Sequence, residues 1–380
     1  MPDGGIETLP GVVMRLSFLE PLYKEAGPFA SVYLDTSRDS AIKDPDAAIA
    51  VRWRHLRDDL LAEGADADSL AAVASTVGND AMVPGTHGQA LFTAHGKLVL
   101  EDELPLPPAR DTAHFGTLPD TMPLIVQHAP GIPYVAVRVQ YTGRHSTEAE
   151  ATVRVDAEAG VWPEAKVAPQ GRLHEEIPVG EWLHTAEQLG DHLDALARRN
   201  GSEALVLAGD VWARGILARR LPKSLHGRIL TTGGGPAPQA GRALLEDQLD
   251  RLFTGRMTSH DRALLDAFLA QRAHDGASAE GLSATVAALQ RGQVRALFLN
   301  HGHTLQSPLY LWVGPEAGQL ALAEGDLRSY GVETVHQERA DVALTRALVG
   351  TGAELILVRE EQVRLHEGVG VLLRYADRTA

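Results

Sequence analysis

Two segments in the last hundred residues constrain the fold most. Gly281 to Asn300 reads GLSATVAALQRGQVRALFLN. Leu282, Val286 and Leu289 recur at helical spacing, Arg291-Gly292 supplies a stop, and Val294 to Leu299 is an apolar β run. The expected unit is helix, tight turn, buried strand. Thr351 to Tyr375 reads TGAELILVREEQVRLHEGVGVLLRY, with a continuous apolar strand at Leu355 to Val358, a polar break at Glu360-Glu361 and a second run at Val369 to Leu373. Leu372 and Tyr375 are expected in the core.

A chain of 380 residues with 44% hydrophobic content is long enough for two or three ordinary domains. Every apolar run is far shorter than the roughly 20 residues a bilayer requires, so no membrane partner is expected. The N-terminus, MPDGGIETLPG, lacks the basic-then-apolar order of a secretory signal. Without cysteine, disulfides and thiolate metal sites are excluded, and any metal would need His and carboxylates. No cofactor or metal is implied, and a cytoplasmic location is the expectation.

The formal charge of −15 argues against a protein that simply coats nucleic acid. The charge is uneven, however. Residues 1–121 carry 9 basic and 19 acidic side chains, residues 122–242 carry 13 of each, and residues 243–380 carry 13 and 18. Within the neutral middle, Arg198, Arg199, Arg214, Arg219, Arg220, Lys223 and Arg228 are opposed only by Glu203 and Asp210 between residues 198 and 228. These seven are the candidate RNA contacts. A solvated helix face, with Arg stems covering apolar surface, fits the same charges.

Punctuation divides the chain near residues 121 and 242. Ala30 to Leu34 reads as a strand, and Ala47 to Glu63 as a helix with Trp53, Leu56 and Leu60 on one stripe. Gln89 to Thr93 and Lys97 to Leu100 read as a hairpin, and His114 to Pro123 as a closing loop. The middle block opens with apolar runs at Leu124 to Gln127 and Tyr134 to Tyr141, then Thr147 to Val155, which suit an antiparallel meander. After a long loop come a helix at His184 to Arg199, a buried strand at Ala204 to Ala208, a second helix to Arg220 and a strand at Arg228 to Thr231.

The C-terminal segments, with the exit Leu230-Thr231-Thr232-Gly233-Gly234-Gly235 from the middle block, resemble Pelota and the bacterial and archaeal relatives of the class 1 release factor. That group includes a mycobacterial branch and the Balon-like ribosome hibernation factors. The resemblance implies a mixed α/β protein of three domains: residues 1–121 as an N-terminal α/β domain, 122–242 as an RNase H-like middle domain, and 243–380 as a C-terminal domain akin to kink-turn-binding proteins. It also implies a ribosomal partner, with rRNA contacts in the A site, and a translational GTPase such as elongation factor Tu.

The family's chemical signature is Gly-Gly-Gln on a middle-domain loop directed at the peptidyl transferase centre. Glycines there let the backbone approach RNA, and the Gln region positions water against the peptidyl ester. This chain contains no Gly-Gly-Gln. The corresponding loop is expected at Gly171 to Leu183, reading GRLHEEIPVGEWL, where Arg172, His174, Pro178, Val179, Gly180, Glu181 and Trp182 would face the centre. Only Gly180 stands as a candidate glycine, flanked by Val179 and Glu181, so no catalytic residue is assigned. Trp182 could stack on a base or tuck against its own domain.

Other constellations are weaker. His301-Gly302-His303 could clasp a metal but shows no third ligand, and Gly233 to Gly235 before Pro236 reads as a turn. Asp210 stands where an RNase H-like nuclease keeps a carboxylate, yet the run Tyr134 to Tyr141 offers Arg138 and Gln140 but no acid. Arg52, Arg54 and Arg57 could touch RNA or form a plain surface face. The role that the resemblance implies is that of a ribosome-binding, release-factor-like protein active in hibernation or the stress response. The alternatives are a peptidyl-tRNA hydrolase or rescue factor with an altered loop, and a protein-interaction module that binds no RNA.

Overall fold

The computed structural model describes residues 16–39, 42–143, 151–234, 241–274, 276–301 and 309–375. Contacts divide the chain into two compact units. Among the described residues, one spans 130–260, and the other joins 16–129 to those after residue 260.

The N-terminal block runs α1 (Glu20–Lys24), β1 (Phe29–Asp35), α2 (Pro45–Ala62), α3 (Ala67–Thr76), β2 (Gly88–Ala94), β3 (Lys97–Leu104), β4 (Thr112–Gly116) and α4 (Met122–His128). Its antiparallel sheet has the order β3-β2-β1-β4. β1 lies in the middle with all but its last residue buried, so its run FASVYLD is apolar on both faces. On one face Ala30, Val32 and Leu34 meet Ile49, Leu56 and Leu60 of α2 and Val73 of α3. Asp44 and Asp66 start these helices by accepting the backbone N–H of Ala47 and Ser69. Two expectations change here. Leu124 to Gln127 is helical within α4, since a short apolar run does not separate strand from helix and Pro123 suits a first helical turn. The expected closing loop, His114 to Pro123, begins inside β4, which pairs with β1.

The middle unit contains β5 (Ile132–Tyr141), β6 (Thr152–Trp162), β7 (Gln170–Pro178), α5 (Trp182–Arg199), β8 (Ala204–Gly209), α6 (Val211–Arg220), α7 (Lys223–His226), β9 (Ile229–Thr232) and α8 (Glu246–Phe253). The sheet order is β7-β6-β5-β8-β9: an antiparallel meander on one side of β5, two parallel neighbours on the other. This is the RNase H-like arrangement expected of it. Val135, Val137 and Val139 of β5 face α5 and α6, while Tyr134 and Ala136 face Trp162 and the α8 residues Leu249 and Phe253. Tyr134 lies 6.3 Å from the ring of Trp162 and 6.0 Å from that of Phe253. The expected strand Thr147 to Val155 is observed from Thr152 onward, and residues 147–150 lie outside the described residues.

The C-terminal block follows with α9 (Ser259–Ala273), β10 (Ser278–Glu280), α10 (Leu282–Gln290), β11 (Val294–His301), β12 (Tyr310–Val313), β13 (Leu320–Ala321), α11 (Glu324–Ser329), β14 (His336–Arg339), α12 (Ala340–Thr351), β15 (Glu354–Arg359) and β16 (Val369–Leu373). Its main sheet is β10-β16-β11-β15, with β11 and β15 parallel, and β13-β12-β14 form a smaller one. Leu282, Val286 and Leu289 are buried, as their spacing predicts. Asn300 pins the polar break after β15: its amide donates to the carbonyls of Val358 and Val363 and accepts from Leu365 N–H. Leu372 is buried, but Tyr375 is 57% exposed, because β16 ends at Leu373 and Tyr375 lies two residues past the strand.

The N- and C-terminal blocks share one apolar core. Phe29, Tyr33, Leu124 and Ile125 pack in the same cluster as Leu282, Leu344 and Leu348. At its edge the Arg339 guanidinium bridges Asp120, at 2.8 Å, and Asp341.

Candidate functional site

Gly171 to Leu183 is not a free loop. Gln170 to Pro178 is β7, an edge strand paired along β6, followed by one tight turn at Val179–Glu181 and then α5. The alternation is hidden in the sequence because the outward side chains are charged and find partners across the strand. His174 Nδ1 lies 2.6 Å from Asp156, and Arg154 donates to Glu176 at 3.0 Å through Nε. The pairing with Arg154 lowers the Glu176 carboxyl below its ordinary value. Inward, Leu173 and Ile177 join the apolar layer under α5.

Arg172 is engaged within the protein. It donates through Nε to Glu158 at 3.0 Å and also reaches the carbonyl of Arg242. Glu158 is fully buried and also accepts the Tyr134 hydroxyl at 2.8 Å and the Leu244 N–H at 3.0 Å. Burial pushes the Glu158 carboxyl up despite those donors, and it pushes the Tyr134 phenol up as well. The network ties β5, β6 and β7 to the segment leading into α8.

What projects is the turn itself. Pro178, Gly180 and Glu181 are exposed, Val179 is half-buried against the core, and Val179 N–H donates to Ala151 at 3.0 Å. A Cβ built on Gly180 would meet nothing within 4 Å. Trp182 is fully buried at the start of α5, so the stacking role considered for it is closed. It heads the stripe Trp182, Ala186, Leu189, Leu193 and Ala197, whose spacing fixes α5 on the sheet.

The seven candidate cations divide by position. Arg198 and Arg199 end α5, Arg219 and Arg220 end α6, and Lys223 opens α7, so five lie on the helical layer. The close approach of α5 and α6 requires Gly190, where a Cβ would lie 3.1 Å from the Arg220 carbonyl. Cations in a last helical turn also complement the helix dipole. Several are engaged: Arg198 with the mostly buried Asp194 at 2.6 Å, Arg220 with Glu187 at 3.7 Å, and Arg219 with the Gly215 carbonyl. Arg214 and Arg228 sit apart. Arg214 donates to Thr232 at the exit of β9, whereas Arg228 donates to Ser202 ahead of β8, at the opposite end of these two parallel strands.

On α2, Arg52 joins Asp35 at 2.9 Å and Asp111 at 3.6 Å, Arg57 joins Asp58, and Arg54 is exposed. Asp210 caps α6 by accepting the N–H groups of Trp212 and Ala213. Gly302, His303, Gly235 and Pro236, and the side chain of His301, lie outside the described residues. Sequence reading passed over Trp212, which is 48% exposed next to the half-buried Tyr141. The available signal was its place two residues past the helix cap Asp210, outside the apolar stripe.

Residues 133–274 match the model of the family described as "Bacterial archaeo-eukaryotic release factor family 2". The match covers the middle of this chain, more than a third of its length, which is thus similar to that release-factor family. Over nearly its whole length the chain is similar to uncharacterized protein Rv2629 of Mycobacterium tuberculosis (strain H37Rv) and uncharacterized protein MT2704 of strain CDC 1551. Each is 28% identical over 378 residues, covering 96% of this chain and 97% of the relative. Solved structures with similarity include archaeal translation termination factor aRF1 (14% identity, 94% of this chain and 96% of that one, TM-score 0.22). Archaeoglobus fulgidus Pelota follows at 12% identity, 76% and 79% coverage and TM-score 0.35. Among the described residues, no helix is long and apolar enough to cross a membrane.

Proposed function

We propose that this protein is a ribosome-associated, release-factor-like factor of the cytoplasm that occupies the A site without hydrolysing peptidyl-tRNA. It comprises three modules, near residues 1–121, 122–242 and 243–380. The observation that carries the reading is the family match over the β5–β9 sheet combined with the turn from β7 to α5. That turn reads Pro178-Val179-Gly180-Glu181-Trp182 in a chain with no Gly-Gly-Gln. A short turn bearing a carboxylate is poorly suited to dense phosphate and lacks the glycine pair needed for close backbone approach. Occupancy without hydrolysis suits hibernation or protection of idle ribosomes under stress, with a translational GTPase such as elongation factor Tu as the partner to test. The cations of the α5–α6 layer, Arg198, Arg199, Arg219, Arg220 and Lys223, are the proposed rRNA contacts.

The pairing of Arg198 with Asp194 and Arg220 with Glu187 favours a second reading, in which that layer is a structural face and the chain docks on protein alone. Reversal of Arg219, Arg220 and Lys223 to Glu separates the two. RNA docking predicts loss of ribosome co-sedimentation and a flatter salt dependence, and unchanged co-sedimentation supports protein docking.

A further inference from the structure

Cations and exposed apolar side chains occupy opposite ends of the middle unit. α5 follows Pro178, which pairs with Thr152 beside the last residues of β5, and Asn200, just past its last turn, donates to the Tyr134 carbonyl at the beginning of β5. Its 18 residues therefore run about 27 Å, from the carboxyl ends of β5 and β8 to their amino ends. Leu183, Val211 and Trp212, the exposed large apolar side chains among the described residues of this unit, sit at the carboxyl end. So does Arg214, bonded to Thr232. The other six cations lie from the middle of α5 onward. Arg220 packs at Gly190, Ser224 beside Lys223 donates to Asp194 at 2.7 Å, and Arg228 donates to Ser202 at 2.8 Å.

Most acids on this half are already engaged. Asp194 takes Arg198 and Ser224, Glu187 takes Arg220, and Glu203 accepts both the N–H and the hydroxyl of Ser259. Among the described residues, Arg199, Arg219, Lys223 and Arg228 have no carboxylate partner, and Asp191 is the one acid of this helical half without a cation or donor. Arg219 and Arg228 each give a single N–H to a backbone carbonyl, which orients the guanidinium and leaves its other donors for a ligand.

We infer that the amino-end half of this helical face binds the phosphate backbone of double-stranded RNA through Arg199, Arg219, Lys223 and Arg228, with Arg214 outside the site. Single strands are held largely by aromatic stacking, whereas duplex RNA is recognised by its backbone and shape. No exposed Trp, Tyr or Phe among the described residues accompanies these cations. A protein partner would call for an apolar anchor at the centre of the contact, and the exposed apolar side chains are at the other end. RNA bound here is a different segment from any that the β7–α5 turn faces. The inference rests on the reading that this chain docks on RNA.

Fluorescence anisotropy with a labelled RNA duplex, compared with a single strand of equal length, tests it on the full chain and on Arg199→Gln, Arg228→Gln and Arg214→Gln. Gln in place of Arg228 or Arg214 keeps a donor for the Ser202 or Thr232 carbonyl and removes only the charge. The wild type is expected to prefer the duplex. Arg199→Gln and Arg228→Gln should each lose about fivefold in affinity and lower the salt slope by about one, while Arg214→Gln should match the wild type. Preference for the single strand overturns the duplex assignment, and an equal loss in Arg214→Gln, or none in Arg199→Gln and Arg228→Gln, overturns the site. So does sedimentation with ribosomes by a chain that binds no duplex, since that pattern marks a protein contact. Duplex binding that depends on Arg199 and Arg228 in a protein that does not sediment with ribosomes sustains the site and rejects the ribosomal reading.

Discussion

Glu158 concentrates the chemistry of the middle unit in one buried carboxylate whose donors come from β5, β7 and the segment before α8. Removing it leaves the Tyr134 hydroxyl, the Leu244 N–H and a guanidinium without their acceptor, so Glu158→Ala is expected to cost about 3 kcal/mol in urea denaturation. The pH dependence has a definite sign. A carboxyl whose folded pKa is raised above its ordinary 4.5 contributes stability below that value and loses it as pH rises through the folded pKa. The wild type should therefore lose stability relative to Glu158→Gln as pH increases from 4 to 7, measured by paired urea titrations; an opposite slope would remove burial as the dominant cause. At the turn, Gly180→Ala meets open space at an ordinary φ and should change stability by less than about 0.5 kcal/mol. Trp182→Ala, two residues on, should cost about 3–5 kcal/mol, because it empties a site at the base of α5. Thermal melts of both variants check the contrast.

At the scale of elements, legibility followed the apolar pattern. α10 with β11, and β15 with β16, were readable because each presents an apolar run or stripe long enough to define its period. β7 was not, because its outward positions carry Arg172, His174 and Glu176, whose charges find partners only once β6 lies alongside. α4 was misread because its apolar run is short, and Tyr375 because an aromatic after a strand signals core only if something covers it. The candidate cations were legible as a charge excess, but their division between the helical layer and the two ends of the β8–β9 pair depends on the fold. The α5–α6 layer yields a prediction of its own. Gly190→Val should push the helices apart at the Arg220 carbonyl and destabilise the middle unit by about 1–3 kcal/mol, whereas Gly227→Ala, with open space around it, should be near neutral. Equal effects in urea denaturation would contradict the close helix approach.

For the whole molecule, the N- and C-terminal blocks behave as one unit in the contact pattern while residues 130–260 form another. Leu124→Ala, a cavity in the shared core, should lower amide-exchange protection in β1 and β11 together and leave β5 and β8 nearly unchanged. Protection lost in β1 alone would contradict a shared core. The functional account concerns occupancy of a ribosome rather than reactivity, and one measurement tests it most directly. Ribosomes carrying a labelled peptidyl-tRNA are sedimented at physiological salt with a molar excess of this protein. The account predicts that the protein pellets with the ribosomes and the labelled peptide stays attached to its tRNA. Protein left in the supernatant, or peptide released in its presence, would contradict it.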